Sequence, residues 1–295
     1  MARSALIVNP SASRVTPELT LRVERELAAA GPVETILTER PRHAAELAAE
    51  ACRTYKRIYV LSGDGGYNEV VNGIEEDVPV GFVPGGSTSV LPRALGLPRD
   101  PVECARLLAG SGERRISLGR VNGRRFTFSA GLGLDAELVR YVDAIGRAGG
   151  KRASDLAFAR TFLGILARRL GRFAPAMTVL GLERVAFALV ANCDPYTYLG
   201  RVPLRVAPDA RFELGLDLVA PRALEPWLLP QVGRWLLTGK GQTVSRHVLY
   251  LHDLDEVFVE CDRPTPLQVD GEDLGDITGA RFKAERGALR VLVGG

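Results

Sequence analysis

The sequence has few of the residues that cross-link a chain or bind metal ions. It contains four cysteines and three histidines among 295 residues. Neither set shows a metal-ligand spacing such as C-x-x-C or H-E-x-x-H. The cysteines are Cys52, Cys104, Cys193 and Cys261, and the histidines are His43, His247 and His252. The sequence therefore predicts neither a disulfide framework nor a zinc site, and it fits a reducing cytoplasm.

Long apolar runs and a strong charge imbalance are also missing. No segment approaches the ~18 uninterrupted apolar residues of a membrane helix, and the N-terminal run at residues 5–8 is too short for a signal peptide. Basic residues number 38 and acidic residues 35, and the net charge of +3 does not indicate nucleic-acid binding. Only four of the basic residues are lysine, a bias that GC-rich coding explains better than phosphate binding. We expect a cytoplasmic protein with no membrane span and no nucleic-acid partner.

The rest of the composition is that of a globular protein, with 46% hydrophobic and 25% charged residues. The length predicts about two domains. Up to about residue 110, short apolar runs alternate with segments of helical periodicity. This alternation predicts a parallel sheet with helices on both faces, in which ligands bind at the carboxyl ends of the strands. The predicted strands are 4–8, 33–38, 57–63 and 78–86, and the predicted helices are 16–30, 41–54, 66–74 and 100–110.

After about residue 115 the pattern changes to period-two segments and turn signals such as Asn122-Gly123. These features indicate mostly antiparallel strands. Strands are predicted at 183–192, 215–221, 248–262 and 266–272 and in the final residues, with helical insertions near 151–172 and 225–238. The predicted fold class is α/β, with one domain at 1–115 and a β-rich domain at 116–295 whose last strand is free to return to the first.

The strongest local motif is the loop Gly63-Asp64-Gly65-Gly66, which lies between a predicted buried strand and a predicted helix. Glycines let backbone N–H groups approach a phosphate closely, and a helix N-terminus adds positive potential. Asp64 would repel phosphates unless a metal ion lay between them, so the loop suggests a Mg-nucleotide site. A tight glycine turn with an exposed aspartate explains the same residues equally well. The loop is neither a Walker A motif nor G-x-G-x-x-G.

A second glycine loop follows the fourth predicted strand and contains Gly86, Ser87 and Thr88. Its hydroxyl groups suit phosphate, although ordinary helix capping by Ser or Thr is the simpler explanation. Two such loops on neighbouring strand ends favour an anion site over two unrelated turns.

A third motif lies in the β-rich half, where Asp270 and Glu272 flank Gly271. A carboxylate at such a turn can accept a hydroxyl proton as a general base. An ordinary Asp-Gly hairpin turn explains this motif alone.

Taken in order, the motifs resemble the diacylglycerol kinase catalytic-domain family, which includes bacterial lipid kinases and the sphingosine and ceramide kinases. The resemblance covers almost the whole chain and implies an N-terminal three-layer α/β/α nucleotide-binding domain and a C-terminal β-sandwich-like lipid-substrate domain. It also implies ATP and Mg²⁺ as cofactors and transfer of the γ-phosphate to the hydroxyl of diacylglycerol or a similar lipid alcohol. The motifs are N-P-S-A-S (9–13), S-G-D-G-G-Y-N-E (62–69), P-G-G-S-T-S (84–89), S-A-G-L-G-L-D-A (129–136) and Q-V-D-G-E (268–272).

The family roles carry over only to matching positions. Asp270 corresponds to the catalytic base, and Glu272 belongs to the same motif. Asp64 and Asp135 correspond to an acidic network linked to the metal ion. The nucleotide-contacting positions are Asn9, Pro10, Ser11, Ala12, Ser13, Thr38, Ser62, Gly63, Asp64, Gly65, Gly66, Asn68, Glu69, Gly86, Ser87 and Thr88.

Five positions depart from the family pattern, and the first is Ser13, which replaces the final glycine of N-P-x-S-G. Gly66 replaces the threonine of G-G-D-G-T, which removes a phosphate-facing hydroxyl. Ser89 and Val90 replace an asparagine and an acid, and Leu214 replaces the second acid of a D-D-G turn at which some members bind Mg²⁺. These departures leave open a catalytically weakened lipid- or nucleotide-binding homologue. An NAD kinase, whose family shares the G-G-D-G loop, is less well supported because its other hydroxyl-rich motifs are not found.

A lipid substrate would require this chain to contact a membrane surface peripherally, at the inner face of the cell membrane. Two segments suit such contact: the basic amphipathic stretch 155–170, and Trp227 with Trp235, which the spacing places broadly on one helical face. Core packing is the simpler explanation of both. The oligomeric state stays open, a homodimer included.

Overall fold

The computed structural model describes residues 3–149 and 155–294, with side chains other than those of 143, 145–149 and 155–159. The chain divides into two compact units. Unit 1 comprises Met1–Leu118 and Arg286–Gly295, and unit 2 comprises Gly119–Glu285. Within the described residues, no helix combines the length and apolar character needed to cross a bilayer.

Unit 1 alternates strands and helices. β1, β2, β3 and β4 are parallel in the spatial order β2-β1-β3-β4, and Val291 near the C-terminus pairs in parallel with Val80 of β4. The elements are β1 (Ser4–Val8), α1 (Pro17–Leu27), β2 (Val33–Leu37), α2 (His43–Thr54), β3 (Arg57–Ser62), α3 (Asp64–Gly73), β4 (Val80–Pro84), α4 (Val90–Ala94), α5 (Pro101–Ala109) and the first part of β5 (Gly112–Val121).

Local signals set these boundaries. Thr16 caps α1 by accepting a hydrogen bond from Leu19 N at 3.1 Å, and Pro17 occupies the first helical position. Such a cap stabilises a helix by ~1 kcal/mol. The predicted start of α3 at residue 66 is wrong by two positions, since the helix begins at Asp64 after an extended Gly63. A carboxylate in the first helical turn is favourable because it faces the positive end of the helix dipole.

Helices cover both faces of the unit 1 sheet. In β4, a Cβ built on Gly81 would lie 3.3 Å from Leu108 of α5, whereas the next residue, Phe82, stacks edge-on against Tyr67 of α3 with ring centroids 5.3 Å apart. Successive strand residues point to opposite faces, so α5 and α3 lie on opposite sides. The predicted three-layer α/β arrangement is confirmed.

The strands of unit 2 are mostly antiparallel. Their buried side chains form a core that belongs to this unit. Its elements are the end of β5, β6 (Arg124–Phe126), β7 (Ser129–Leu132), α6 (Leu134–Gly149), α7 (Asp155–Arg168), β8 (Met177–Val179), β9 (Arg184–Val185), β10 (Ala188–Ala191), β11 (Thr197–Leu199), β12 (Val202–Leu204), β13 (Leu216–Pro221), α8 (Leu229–Thr238), β14 (Val248–Leu254), β15 (Glu256–Val269) and β16 (Glu272–Val293), which ends in unit 1.

β15 serves both layers of unit 2. Its first half pairs with β8 and its second half with β7, and the register against β16 shifts between Glu260 and Thr265. Such irregularities let one strand pass from one packed layer to the next. The predicted β-sandwich-like character with helical insertions is therefore observed, although three predicted strands are divided: 183–192 into β9 and β10, 248–262 into β14 and β15, and 266–272 at the β15–β16 turn.

The candidate membrane segments have mixed environments. In α7, Phe162, Ile165 and Leu166 pack into a core cluster, which agrees with the simpler explanation of this stretch as a helix facing the core. The predicted common face of the two tryptophans is wrong, because Trp227 lies in a 3₁₀ turn and is 63% exposed whereas Trp235 is buried in α8. Residues 151–154 of the predicted helical insertion lie outside the described residues.

Candidate functional site

The sheet of unit 1 brings the predicted loops to one edge. β1 to β4 are parallel and in register, so their carboxyl ends meet at the same edge. The residues that follow these strands are 9–13, Thr38, 63–66 and 85–89. Three of these loops are polar or glycine-rich and Thr38 adds a hydroxyl, so this edge can bind an anion through backbone N–H and hydroxyl groups.

Backbone hydrogen bonds connect three of the loops. Asn9 N donates to Leu61 O at 3.0 Å, and Arg14 N donates to Gly85 O at 3.0 Å. Gly85 N in turn donates to Ser62 O at 2.7 Å. The loops after β1, β3 and β4 are therefore held as one group.

The loop after β1 is a turn closed by its own asparagine. Asn9 Oδ1 accepts a hydrogen bond from Ser11 N at 2.9 Å, as an Asx turn does. Pro10, Ser11 and Ser13 are exposed and Ala12 is partly buried. These residues are therefore accessible to a ligand, as a nucleotide role requires.

Close packing explains the glycines after β4. A Cβ on Gly85 would lie 2.9 Å from Ser62 O, and one on Gly86 would lie 2.9 Å from Gly63 Cα. Both loops would have to separate to admit any side chain. Beside them, Ser87 is exposed and Thr88 is partly buried, while Ser89 Oγ accepts a hydrogen bond from Gly86 N at 3.2 Å.

Asp64 is buried at the start of α3, and its Oδ1 accepts a hydrogen bond from Leu91 N at 3.3 Å. The carboxylate thus joins the first turn of α3 to the first turn of α4, the helix that follows the loop after β4. Tyr67, which the motif analysis did not single out, lies one turn further on with its hydroxyl 2.6 Å from Ser62 O and 2.8 Å from Val83 O. Burial, with a smaller contribution from the Asp64 charge, raises the pKa of Tyr67 well above its ordinary value.

Glu69 contacts the backbone at the start of α2. Its carboxylate accepts hydrogen bonds from Arg42 N at 3.0 Å and Ala44 N at 3.3 Å. This is the arrangement that stabilises a helix N-terminus, so Glu69 positions the segment that follows Thr38. Asn68 is fully buried, and its side-chain oxygen accepts a hydrogen bond from Asn72 at 3.2 Å.

Asp270 occupies the turn between β15 and β16 in unit 2, with φ of 47° and almost no exposure. Its Oδ2 accepts hydrogen bonds from Thr127 N at 2.7 Å and Thr127 Oγ1 at 2.9 Å, and its Oδ1 from Phe128 N at 3.0 Å and Ser129 N at 3.2 Å. These four donors occupy the lone pairs that a carboxylate offers, so a substrate hydroxyl would have to replace one of them. Burial and the charge of Asp270 raise the pKa of the Cys193 thiol.

Asp135, predicted as a metal ligand, is buried at the start of α6. Its carboxylate accepts hydrogen bonds from the Tyr196 hydroxyl and from Gln268 Nε2, and burial raises its pKa. Gln268 was missed by the motif analysis, although it lies near the end of β15, two residues before Asp270. Its oxygen accepts a hydrogen bond from Gly271 N at 2.9 Å, which connects Asp135 to the Asp270 turn.

Glu272 is the first residue of β16, and its side chain is about a third exposed. Its carboxylate pairs with the guanidinium of Arg124 on β6. The predicted partner of Asp270 is therefore held by a cation of the same unit.

Unit 2 also contains an apolar cavity of about 230 Å³. Its wall is mostly hydrocarbon, and Asp135, Arg205 and Gln242 are among its few polar side chains. A site of this composition fits the apolar part of a ligand and places a few polar groups to orient it. The lining includes Leu134, Phe162, Phe187, Leu224, Val232 and Trp235.

No three side chains of His, Cys, Asp or Glu come together as a metal-binding group in the described part of the chain. Mg²⁺ in phosphate-transfer sites needs only one or two carboxylates, because substrate phosphates supply other ligands. At the loop edge of unit 1, the buried carboxylate of Asp64 fits that requirement.

A family model for the diacylglycerol kinase catalytic domain matches residues 3–121. The chain is 30% identical over 289 residues to a Bacillus subtilis (strain 168) protein named "Putative lipid kinase YtlR", covering 87% of this chain and 88% of that protein. It is 34% identical over 145 residues to the diacylglycerol kinase of the same organism, covering 47% of this chain and 48% of that enzyme. The chain thus spans about half the length of that relative.

Among solved structures, a diacylglycerol kinase from Bacillus anthracis str. Sterne superposes with a TM-score of 0.74 at 18% identity. The match covers 99% of this chain and 97% of that one. At this identity, the likeness shows the fold.

Proposed function

Because the chain belongs to the diacylglycerol kinase catalytic-domain family, we propose that it is an ATP-dependent lipid kinase. The reaction transfers the γ-phosphate of ATP to the hydroxyl of diacylglycerol or a similar lipid alcohol. The hydroxyl oxygen bonds to the γ-phosphorus, the bond to the bridging oxygen of ADP breaks, and the hydroxyl proton passes to a base. The observation that carries the proposal is the grouping of four strand-end loops in a unit that the family model matches.

Unit 1 is the proposed nucleotide-binding part. The first turn of α3 offers backbone N–H groups, and residues 9–13, Thr38, Ser87 and Thr88 follow the neighbouring strands at the same edge of the sheet. A set of donors at a helix N-terminus suits the phosphates of ATP. Mg²⁺, when bound, would neutralise charge on the transferred phosphate, and Asp64 is the residue proposed to hold it.

Unit 2 is the proposed lipid-binding part. Its cavity of about 230 Å³ suits part of an acyl chain, and Asp135 at its wall is placed to orient a polar headgroup. Asp270 is the proposed base. It serves in that role only when a substrate hydroxyl replaces one of its present donors, and we propose that the Thr127 hydroxyl, a side-chain donor, is the one displaced.

The direct test is incubation of the purified full chain with Mg²⁺ and γ-phosphate-labelled ATP. The acceptors are diacylglycerol, monoacylglycerol, sphingosine and ceramide in mixed micelles, and NAD in solution. We expect label in a lipid product. Label in NAD alone would contradict the proposal, and nucleotide binding without transfer to any acceptor would identify a catalytically weakened homologue.

The variant Asp64→Asn tests the unit 1 assignment. The asparagine oxygen can still accept from Leu91 N, so mainly the charge is lost. We expect the rate of phosphate transfer to fall at least about a hundredfold with little change in unfolding temperature. The reason is that the Asp64 charge would hold the Mg²⁺ that neutralises the transferred phosphate. The control Asp262→Asn removes a carboxylate that pairs with Arg184 at the surface and should keep full activity. Equal activities of the two variants would reject the role of Asp64.

Peripheral membrane contact is proposed at Leu170 and Trp227, which are 73% and 63% exposed. Their chain neighbours lie close together, because a Cβ on Gly171 would lie 3.4 Å from Pro226 Cα. Leu170→Ala should weaken flotation with anionic vesicles, whereas Leu21→Ala, which truncates a leucine of unit 1 that is 63% exposed, should not. Equal flotation of both variants would reject this surface.

A further inference from the structure

Gly66 lacks the hydroxyl of the family's threonine, but the structure places another hydroxyl in the same space. A Cβ built on Gly66 would lie 2.1 Å from Ser62 Oγ and 2.9 Å from Ser62 Cβ. Ser62 is the last residue of β3, and Gly66 lies in the first turn of α3. The volume that a side chain at position 66 would occupy is therefore already filled by the Ser62 hydroxymethyl group.

The Ser62 hydroxyl is buried and has no hydrogen-bond partner among the described residues. The residue is 2% exposed. A buried hydroxyl without a partner destabilises the folded chain relative to a methyl group of the same shape. Such groups are rare in folded proteins and call for an explanation, of which an absent ligand is one.

The surroundings of this hydroxyl favour an anionic ligand. The first turn of α3 begins within two residues of Ser62, and a helix N-terminus presents backbone N–H groups and positive potential. Asn9 Nδ2, another donor, lies 3.9 Å from the Gly66 Cβ position. Its Oδ1 accepts a hydrogen bond from Ser11 N, so the amide nitrogen is the group of this side chain that can donate to a ligand. Hydroxyl, amide and helix terminus together match a phosphate oxygen.

We infer that Ser62 and Gly66 form an exchanged pair, in which the Ser62 hydroxyl donates to a phosphate oxygen of the bound nucleotide and glycine at 66 makes room for it. This inference rests on the proposed nucleotide site of unit 1. In this pair the phosphate-binding hydroxyl is not lost. It is carried by Ser62 at the end of β3 instead of by residue 66 in α3. A threonine restored at 66 alone would collide with Ser62.

The experiment measures nucleotide affinity and unfolding temperature on the full chain. Binding of ATP and of non-hydrolysable AMP-PNP, each with Mg²⁺, is followed by calorimetry. Ser62→Ala should raise the unfolding temperature of the unliganded protein, because it removes an unpartnered buried hydroxyl. The same variant should weaken nucleotide binding about tenfold or more, the usual effect of losing a hydrogen bond to a charged group. A higher unfolding temperature together with weaker nucleotide binding distinguishes a ligand-binding role from a structural one, because loss of a structural hydroxyl would lower the unfolding temperature.

Two further variants test the exchange. Gly66→Thr should lower the unfolding temperature and nucleotide affinity, and the double variant Ser62→Gly/Gly66→Thr should recover most of both losses. Ser111→Ala is the matched control, since the Ser111 hydroxyl in unit 1 donates to Leu108 O at 2.7 Å. It should lower the unfolding temperature slightly and leave nucleotide affinity unchanged.

Unchanged affinity in Ser62→Ala, or a lower unfolding temperature in that variant, would overturn the inference. So would a double variant no better than Gly66→Thr alone, or a parent chain that binds neither nucleotide. A parent chain that binds nucleotide, loses affinity on Ser62→Ala and phosphorylates no lipid would overturn only the proposed function.

Discussion

Gln268 Nε2 donates a hydrogen bond to the Asp135 carboxylate at 2.5 Å. The oxygen of the same side chain accepts one from Gly271 N at 2.9 Å. One buried amide therefore joins the acid at the wall of the unit 2 cavity to the turn that carries Asp270. Because both ends of the amide are engaged, Gln268 is a positioning residue for both carboxylates.

The first prediction concerns this amide. Gln268→Leu should lower the free energy of unfolding by about 1–3 kcal/mol, because it removes a donor from the Asp135 carboxylate and an acceptor from a turn N–H. We also expect kinase activity to fall, since the Asp270 turn loses its support. Urea denaturation and labelled-lipid assays measure the two effects. Gln231→Leu on the exposed face of α8 is the control, and equal behaviour of the two variants would contradict the positioning role.

The second prediction is a pH dependence. Burial raises the pKa of Asp135 above its ordinary value of 3.8. As the pH rises from about 3.8, the unfolded chain loses this proton while the folded chain retains it, so the contribution of Asp135 to stability declines until the folded carboxyl has also ionised. The difference in unfolding free energy between the parent and Asp135→Asn should therefore fall with rising pH and then level off. A flat or rising difference between about pH 4 and pH 8 would contradict the shift.

The third prediction separates two roles of Asp270. In Asp270→Asn an NH₂ group replaces an oxygen that faces donors from residues 127–129. We expect the free energy of unfolding to fall by about 1–3 kcal/mol and lipid phosphorylation to be lost. Asp262→Asn, at an exposed ion pair, should change stability by less than about 1 kcal/mol. Full activity in Asp270→Asn would reject Asp270 as the base, and unchanged stability would contradict its anchoring of residues 127–129.

Local patterns were sufficient to predict the loops at the sheet edge. The strands β1, β3 and β4 of unit 1 are short and mostly apolar, and Thr16-Pro17 or a glycine pair marks where a neighbouring element begins or ends. Parallel pairing then places the loops together without further information. The same reasoning cannot predict the hydrogen bond between Gln268 and Asp135, because 133 residues separate them. In an isolated strand or helix, either side chain could face solvent.

At two places the structure adds what the sequence pattern does not contain. Glu69 matches a nucleotide motif, but its carboxylate lies within hydrogen-bond distance of the α2 N-terminus, a contact that depends on how α2 and α3 pack. The spacing of Trp227 and Trp235 predicted one helical face, yet α8 begins only at Leu229, so the helical period does not extend back to Trp227. A sequence pattern identifies a face only where the whole segment is one helix.

The fourth prediction tests the close approach of the loops in unit 1. Gly85→Ala would place a methyl group 2.8 Å from Val15 Cγ2 and 2.9 Å from Ser62 O. We expect the free energy of unfolding to fall by about 1–3 kcal/mol and nucleotide affinity to weaken, because the loops after β3 and β4 must separate. The control Gly112→Ala meets no atom within 4 Å and should be neutral or slightly stabilising. Similar stability losses in both variants would show that the loops are not tightly packed.

The fifth prediction concerns the apolar cavity of unit 2. Val232→Phe extends a ring into a space of about 230 Å³, so the unfolding temperature should stay constant or rise while room for an acyl chain is lost. The KM for long-chain diacylglycerol should increase several-fold, whereas the KM for a short-chain analogue should change little. Val244→Phe makes the same substitution at a residue that is 86% exposed and should leave both values unchanged. If Val232→Phe raises the KM for short and long chains equally, the cavity does not hold the acyl chain.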